Sequence, residues 1–224
     1  MKGRALLIGN SDGIGLGITK ELLKREWTVV GFSRSKSPIE DRLYEHITCK
    51  VQDDEYPAKL KSVLENSDSM DLCIYCAGIG EMLDLSDMAG EAEIVSVNLL
   101  GMVVTASNVI PLMVKKGKGH FIGLSSPSYH ASKAGFSNYL ESLALALRPK
   151  SVHVSNVRFG FVDTKMAKGD VRPFMMSIDR AVSHLVKCIQ KKPIRYTAPR
   201  VVIPLVKFRS WFLRLRILFS KLKT

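Results

Sequence analysis

A chain of 224 residues is long enough for one well-buried domain and too short for two, so a domain over 1–200 with an extension over 201–224 is expected. The formal charge of +12 would suit nucleic acid, phosphate-bearing ligands or an anionic membrane. From Arg200 onward, however, Arg200, Lys207, Arg209, Arg214, Arg216, Lys221 and Lys223 occur with no acidic residue, so the tail holds +7 and the rest only +5; no nucleic-acid reader motif accompanies it, and a nucleic-acid partner is not expected.

The opening Met1-Lys2-Gly3-Arg4 runs into the apolar stretch 5–8, which is too short for a signal-peptide core and lacks a small-residue cleavage site. Folding in a reducing cytosol is therefore expected. Cys49, Cys73, Cys76 and Cys188 show no disulfide-framework spacing, and Cys73-Ile-Tyr-Cys76 has no second pair or His cluster to complete a metal site. Strand-length apolar runs recur at 5–8, 28–32, 46–51, 72–76, 119–124, 152–158 and 196–203. Helical stretches lie between them at 14–26, 57–66, 91–115, 131–147 and 178–190. This alternation predicts an α/β fold, a doubly wound, mostly parallel sheet of about seven strands with helices on both faces. An apolar flank on 131–147 reads as core, part of which is open to a subunit contact.

Directly after the first strand comes Gly9-Asn10-Ser11-Asp12-Gly13-Ile14-Gly15, and then a helix. Glycines placed there let the backbone turn sharply towards a pyrophosphate, which the helix N-terminus holds with free N–H groups and its positive dipole end. At the second strand end, where a carboxylate would take a ribose 2′-OH and a basic group a 2′-phosphate, the chain carries Ser33-Arg34-Ser35. NADP(H) is accordingly favoured over NAD(H). Further on, Asn98 interrupts an apolar helix, a costly place for an amide unless its groups are satisfied. Tyr129 and Lys133 are four residues apart, one helical turn on the same face. A phenol ionises near pH 10, and an adjacent ammonium lowers that value enough for acid–base work.

With Cys76-Ala77-Gly78 at the fourth strand end and Ser125-Ser126 upstream of the Tyr, these motifs resemble the short-chain dehydrogenase/reductase family over residues 4 to 195. The resemblance implies a TGxxxGxG turn with Ile8 in place of Thr, and an NNAG-like element at Cys76, Ala77 and Gly78. It implies a PG-x-V-x-T segment at Gly160, Val162 and Thr164, with Phe159 in place of Pro. The implied tetrad is Asn98, Ser126, Tyr129 and Lys133: Tyr129 the proton donor, Lys133 lowering its pKa and holding the nicotinamide ribose, Ser126 on the carbonyl, Asn98 on a water. Cofactor contacts are implied at Gly9, Ser11, Asp12, Gly13, Ile14, Gly15, Ser33, Arg34, Cys76, Ala77, Gly78, Tyr129, Lys133, Gly160, Val162 and Thr164.

Two departures stand out. Lys50, or a displaced Asp53, occupies the place of the family's adenine-contacting Asp. Only Pro127 and Ser128 separate Ser126 from Tyr129, where the family has about a dozen residues; three extended steps reach about 10 Å, and Ser126 before a proline is pushed to extended backbone. The sequence leaves open whether this is a true deletion or an omitted loop, and which of Ser125, Ser126 and Ser128 is catalytic. Beyond Thr164, Met166 and Phe174-Met175-Met176 suit a lid over an apolar cavity or plain packing. From residue 205 apolar side chains fall at near-helical spacing opposite a basic face. That basic amphipathic helix suits peripheral contact of a cytoplasmic protein with the inner surface of an anionic membrane, or packing on the protein itself.

The expected function is interconversion of a hydroxyl and a carbonyl on an apolar small molecule by a homodimer or homotetramer. The alternative is a nucleotide-binding relative without turnover that acts through protein or membrane contacts.

Overall fold

A computed structural model of the chain describes residues 3–67, 69–80, 86–126, 131–166, 174–201 and 204. Seven parallel strands form one sheet in the order β3-β2-β1-β4-β5-β6-β7. They are β1 (Arg4–Ile8), β2 (Thr28–Ser33), β3 (Tyr44–Thr48), β4 (Leu72–Tyr75), β5 (Gly119–Ser125), β6 (Val152–Phe159) and β7 (Arg195–Ala198). The helices are α1 (Gly13–Lys24), α2 (Tyr56–Glu65), α3 (Gly90–Val95), α4 (Gly101–Lys116), α5 (Ala131–Ala146) and α6 (Ile178–Lys191).

Because side chains alternate along a strand, β1, β2, β4, β5 and β6 each feed two cores. Leu6 and Ile8 of β1 join Phe32, Tyr56, Met102, Phe121 and Phe136 under α2, α4 and α5. Ala5 and Leu7 join Ile18, Leu22, Ile122, Val157 and Leu185 under α1 and α6. These inner strands are therefore apolar on both faces, as a sheet covered on both sides requires. The chain moves outward from β1 to β3 and then returns to β4 on β1's other side. A crevice opens at that reversal, above the carboxyl ends of β1 and β4.

Three expectations need correction. The third strand was expected over 46–51 but ends at Thr48, because the Lys50 N–H turns away to the Asp53 carboxylate at 2.8 Å. The last was expected over 196–203 but spans only Arg195–Ala198. The long helix expected over 91–115 is not uniform: α3 and α4 are joined by a π-helical turn, Ser96–Leu100. The resulting 27-residue helix, Gly90–Lys116, is long enough to cross a membrane, and an 18-residue stretch within it has a mean hydropathy of 1.8. Half of its apolar window is buried in the domain, with Met102, Ala106, Val109 and Met113 in the core, so it is a core helix. Cys73 and Cys76 belong to opposite cores, which keeps the CxxC pair from bridging. The extension 201–224 lies outside the described residues except for Val201 and Pro204.

Candidate active site

The glycine-rich turn rises from β1 into the crevice. Gly9 has φ +83°, and a Cβ there would overlap the Ala77 backbone; a Cβ on Gly15 would overlap the Gly9 carbonyl. Close backbone approach is thus built into the turn. Asp12 caps α1, its Oδ1 accepting from Gly13 N–H at 2.7 Å. The Lys165 hydrogen bond and then the Gly13 N–H hold its carboxyl below the usual range. Lys165 Nζ stands 2.7 Å from Asp12 Oδ2, and both are exposed, so this pair adds little stability. Gly13, at φ +55°, faces Thr164, which brings the segment after β6 against the turn. There Val162 pairs with Met176, Asp163 N–H donates to Met176 O and Met176 N–H to Phe161 O. Ile14 packs on the α1/α6 core, and Gly160 N–H donates to Ala198 O. Ser33 donates to Ser35 O at 2.7 Å, ordering the turn that carries the exposed Arg34.

Opposite the turn, Cys76 N–H donates to Ile8 O. A Cβ on Gly78 would meet Asn98 Oδ1 at 3.1 Å, Lys133 Nζ at 3.4 Å and Met166 Cε at 3.7 Å. Four separate chain segments therefore converge on this glycine. Asn98 is 2% exposed and held by the π-helical turn. Its Oδ1 accepts from Ile79 N–H at 2.9 Å, while its Nδ2 donates to Ile79 O at 2.8 Å and Ser132 Oγ at 3.3 Å. The amide that looked expensive in the sequence is satisfied on both atoms.

Lys133, in the first turn of α5, donates from Nζ to Leu124 O at 3.1 Å and sits 4.9 Å from the Phe136 ring centre. Burial lowers its pKa to about 8, with Cys76 pulling the other way. Burial likewise pushes the Cys76 thiol up to about 12, so it stays neutral. Ser125 points inward, to Ser137 Oγ at 2.7 Å and Lys133 O at 3.3 Å. That leaves Ser126, half-buried at the end of β5, as the described serine beside the crevice. Tyr129 and Ser128 lie outside the described residues.

The sequence reading missed the supports: Ile79 and Ser132 around Asn98, Ser137 behind Ser125, and Tyr75, whose hydroxyl donates to Val97 O at 2.6 Å and braces the π-helical turn. Backbone and hydroxyl partners far apart in the chain leave no pattern in a sequence. It also passed over Asn10. Lys50, at the place of the family's adenine-contacting Asp, is exposed, and the displaced Asp53 accepts from Lys50 N–H at 2.8 Å. Cys49, Asp53 and Glu55 bring ligand-type atoms within 4.8 Å of one another, but Asp53 takes the Cys49 thiol and Glu55 pairs with Lys59 at 2.6 Å.

The family description "short chain dehydrogenase" matches residues 4–173. An uncharacterized oxidoreductase of Myxococcus xanthus is 26% identical over 219 positions, covering 87% of each chain. A 3-oxoacyl-(acyl-carrier-protein) reductase of Vibrio harveyi is 30% identical over 183 positions, covering 73% of this chain and 75% of that one. A short-chain dehydrogenase from Burkholderia cenocepacia, solved in complex with NADP, superposes with a TM-score of 0.80 at 20% identity, covering 95% of this chain and 96% of that one.

Proposed function

Since this chain belongs to the short-chain dehydrogenase family and is thereby an oxidoreductase interconverting CH–OH and C=O, we propose that it is an NADP(H)-preferring reductase of an apolar carbonyl compound. The observation that carries the reading is the meeting of the Lys133 ammonium, the Asn98 amide and Gly78 across the crevice from the glycine-rich turn. The residues suit a dinucleotide: Gly9 and Gly15 keep the turn free of side-chain bulk where a pyrophosphate would approach, and Arg34 supplies a cation for a 2′-phosphate. Ser33, Ala77, Gly160, Val162 and Thr164 line the remaining path.

The nicotinamide cofactor supplies the hydride. As charge develops on the substrate oxygen, Tyr129 gives it a proton and Ser126 a hydrogen bond. Lys133 favours the phenolate by its positive charge and keeps a ribose hydroxyl within reach of a donor. Asn98, pinned to Ile79, fixes the floor on which Lys133 stands. Phe161, Met166, Phe174 and Met175 are each between 39% and 52% exposed around the mouth. Such adaptable apolar groups favour a hydrophobic substrate. The exposed Leu100 and Leu145, near α4 and on α5, support assembly as a homodimer or homotetramer. The tail supports contact with an anionic surface by its charge alone.

The test is the initial rate of NADPH and NADH oxidation over aliphatic, aromatic and steroid-like ketones, with Tyr129→Phe as the blank. Turnover above the blank, faster with NADPH, is expected. Tight NADPH binding without turnover on any ketone would instead favour the non-catalytic alternative.

A further inference from the structure

Asn10 lies within the glycine-rich turn, yet its side chain is fully buried. It leaves the turn and crosses the neighbouring strand: Nδ2 donates to Tyr44 Oη on β3 at 2.6 Å, and Tyr44 Oη lies 2.8 Å from His46 Nδ1. The crossing is possible only because β2 carries Gly31 at that point, where a Cβ would overlap the Asn10 amide. Gly31 pairs with Leu7 of β1 and with His46 of β3, so Asn10, Gly31, Tyr44 and His46 form one transverse seam under the adenosine half of the crevice. The seam carries a cost. Asn10 Oδ1 is buried with no hydrogen-bond partner among the described residues, and a buried acceptor in that state destabilises the fold. Packing alone would favour a small apolar residue at this position.

The turn explains what the cost offsets. Gly9 and Gly13 both adopt positive φ, and glycine loses the most conformational freedom on ordering. Fixing the backbone costs conformational entropy, and binding energy must cover that cost unless the free protein already holds the turn in place. Gly9 N–H reaches Phe32 O at 2.7 Å, and the Asn10 amide ties the next residue to β3. We propose that Asn10 and Tyr44 are positioning residues that hold the glycine-rich turn in its binding shape and so set the affinity for the dinucleotide.

This rests on the dinucleotide site proposed above. It acts through the pyrophosphate turn, so it affects NADPH and NADH alike, unlike Arg34.

The experiment is fluorescence titration of the full-length protein with NADPH and with NADH, together with kcat at saturating cofactor and Tm, for wild type, Asn10→Ala, Tyr44→Phe, Gly31→Ala and Asn10→Ala/Gly31→Ala. Loss of one such hydrogen bond raises Kd for both cofactors by about tenfold, with kcat nearly unchanged. Gly31→Ala weakens binding in the wild type but adds nothing once Asn10 is Ala, because the space it needs has been vacated. Unchanged Kd in Asn10→Ala and Tyr44→Phe with a lowered Tm would reduce the seam to a structural tie and overturn the proposal. A Gly31→Ala penalty of equal size in both backgrounds would do so too. A wild type that binds neither dinucleotide would overturn the proposed function along with it, whereas wild-type binding with insensitive variants would overturn this inference alone.

Discussion

Lys133 is the residue on which the chemistry turns, and its environment makes a pH prediction. Burial lowers its pKa to about 8 in the ligand-free protein, so the ammonium that would meet a ribose hydroxyl is present below that pH and lost above it. Kd for NADPH should be flat on the acid side of that value and rise on the alkaline side, whereas Lys133→Met should bind weakly at every pH. Titrations across this range check it, and a wild-type Kd that stays flat through pH 9 would remove the ammonium from binding. At the other end of the crevice, Arg34→Ala should weaken NADPH by roughly tenfold, the worth of one charge-assisted contact, and NADH much less; equal loss for both would end the assignment of Arg34 to the 2′-phosphate. Single residues were the most legible level of the sequence. Gly9, Gly15, Asn98 and Lys133 stood out by type and spacing: glycines directly after the first strand, an amide in an apolar helix, and a lysine one helical turn from Tyr129. Ser125 and Ser126 could not be separated, because only the packing of α5 shows which hydroxyl points inward.

Elements were legible by pattern and misread at their ends. Apolar runs and helical periodicity located all seven strands and the long helices, since both faces of the sheet are buried and β-strand sequence is then continuously apolar. β3 was extended three residues too far because Cys49-Lys50-Val51 still looks like a strand; the Asp53 carboxylate that ends it is a tertiary detail. The π-helical turn was invisible, as one widened turn inside a 27-residue helix barely disturbs a 3.6-residue period. Its effect is large, for it is the turn that carries Asn98 to the two backbone groups of Ile79. Asn98→Ala leaves that N–H and C=O without their partner, at a cost on the order of 1–3 kcal/mol for each group that water cannot reach. Thermal unfolding should show a Tm lowered by several degrees, together with reduced turnover; an unchanged Tm would mean that the 78–80 segment does not depend on this clamp.

For the whole molecule, acid should be the weak side. His120 is buried at the start of β5, with Nε2 2.8 Å from Ser155 Oγ, and burial first, then Lys192 and His153, lowers its pKa from 6.5 to about 3. The unfolded chain therefore takes up a proton that the folded chain refuses, and stability falls as pH drops from 6.5 towards 3. Burial shifts His46, His153 and His184 in the same direction. Denaturant unfolding at pH 7 and pH 5 should show lower stability at the acid value, with a smaller difference in His120→Asn; an identical difference would show that His120 is not the group responsible. The fold itself could be read from alternation along the chain, and the crevice from the position of the glycine-rich turn. The backbone clamp that Ile79 makes on Asn98 could not, because it joins groups far apart in the chain.

The central claim is that hydride passes from a nicotinamide to a carbonyl carbon in this crevice, with Tyr129 supplying the proton. The most direct measurement is a single-turnover reaction with NADPH carrying deuterium at the transferable position and a medium-chain methyl ketone, analysed by mass spectrometry of the alcohol. The account predicts one deuterium on the carbinol carbon with wild-type protein and none above background with Tyr129→Phe. Alcohol formed without deuterium, or labelled equally by the variant, would contradict it.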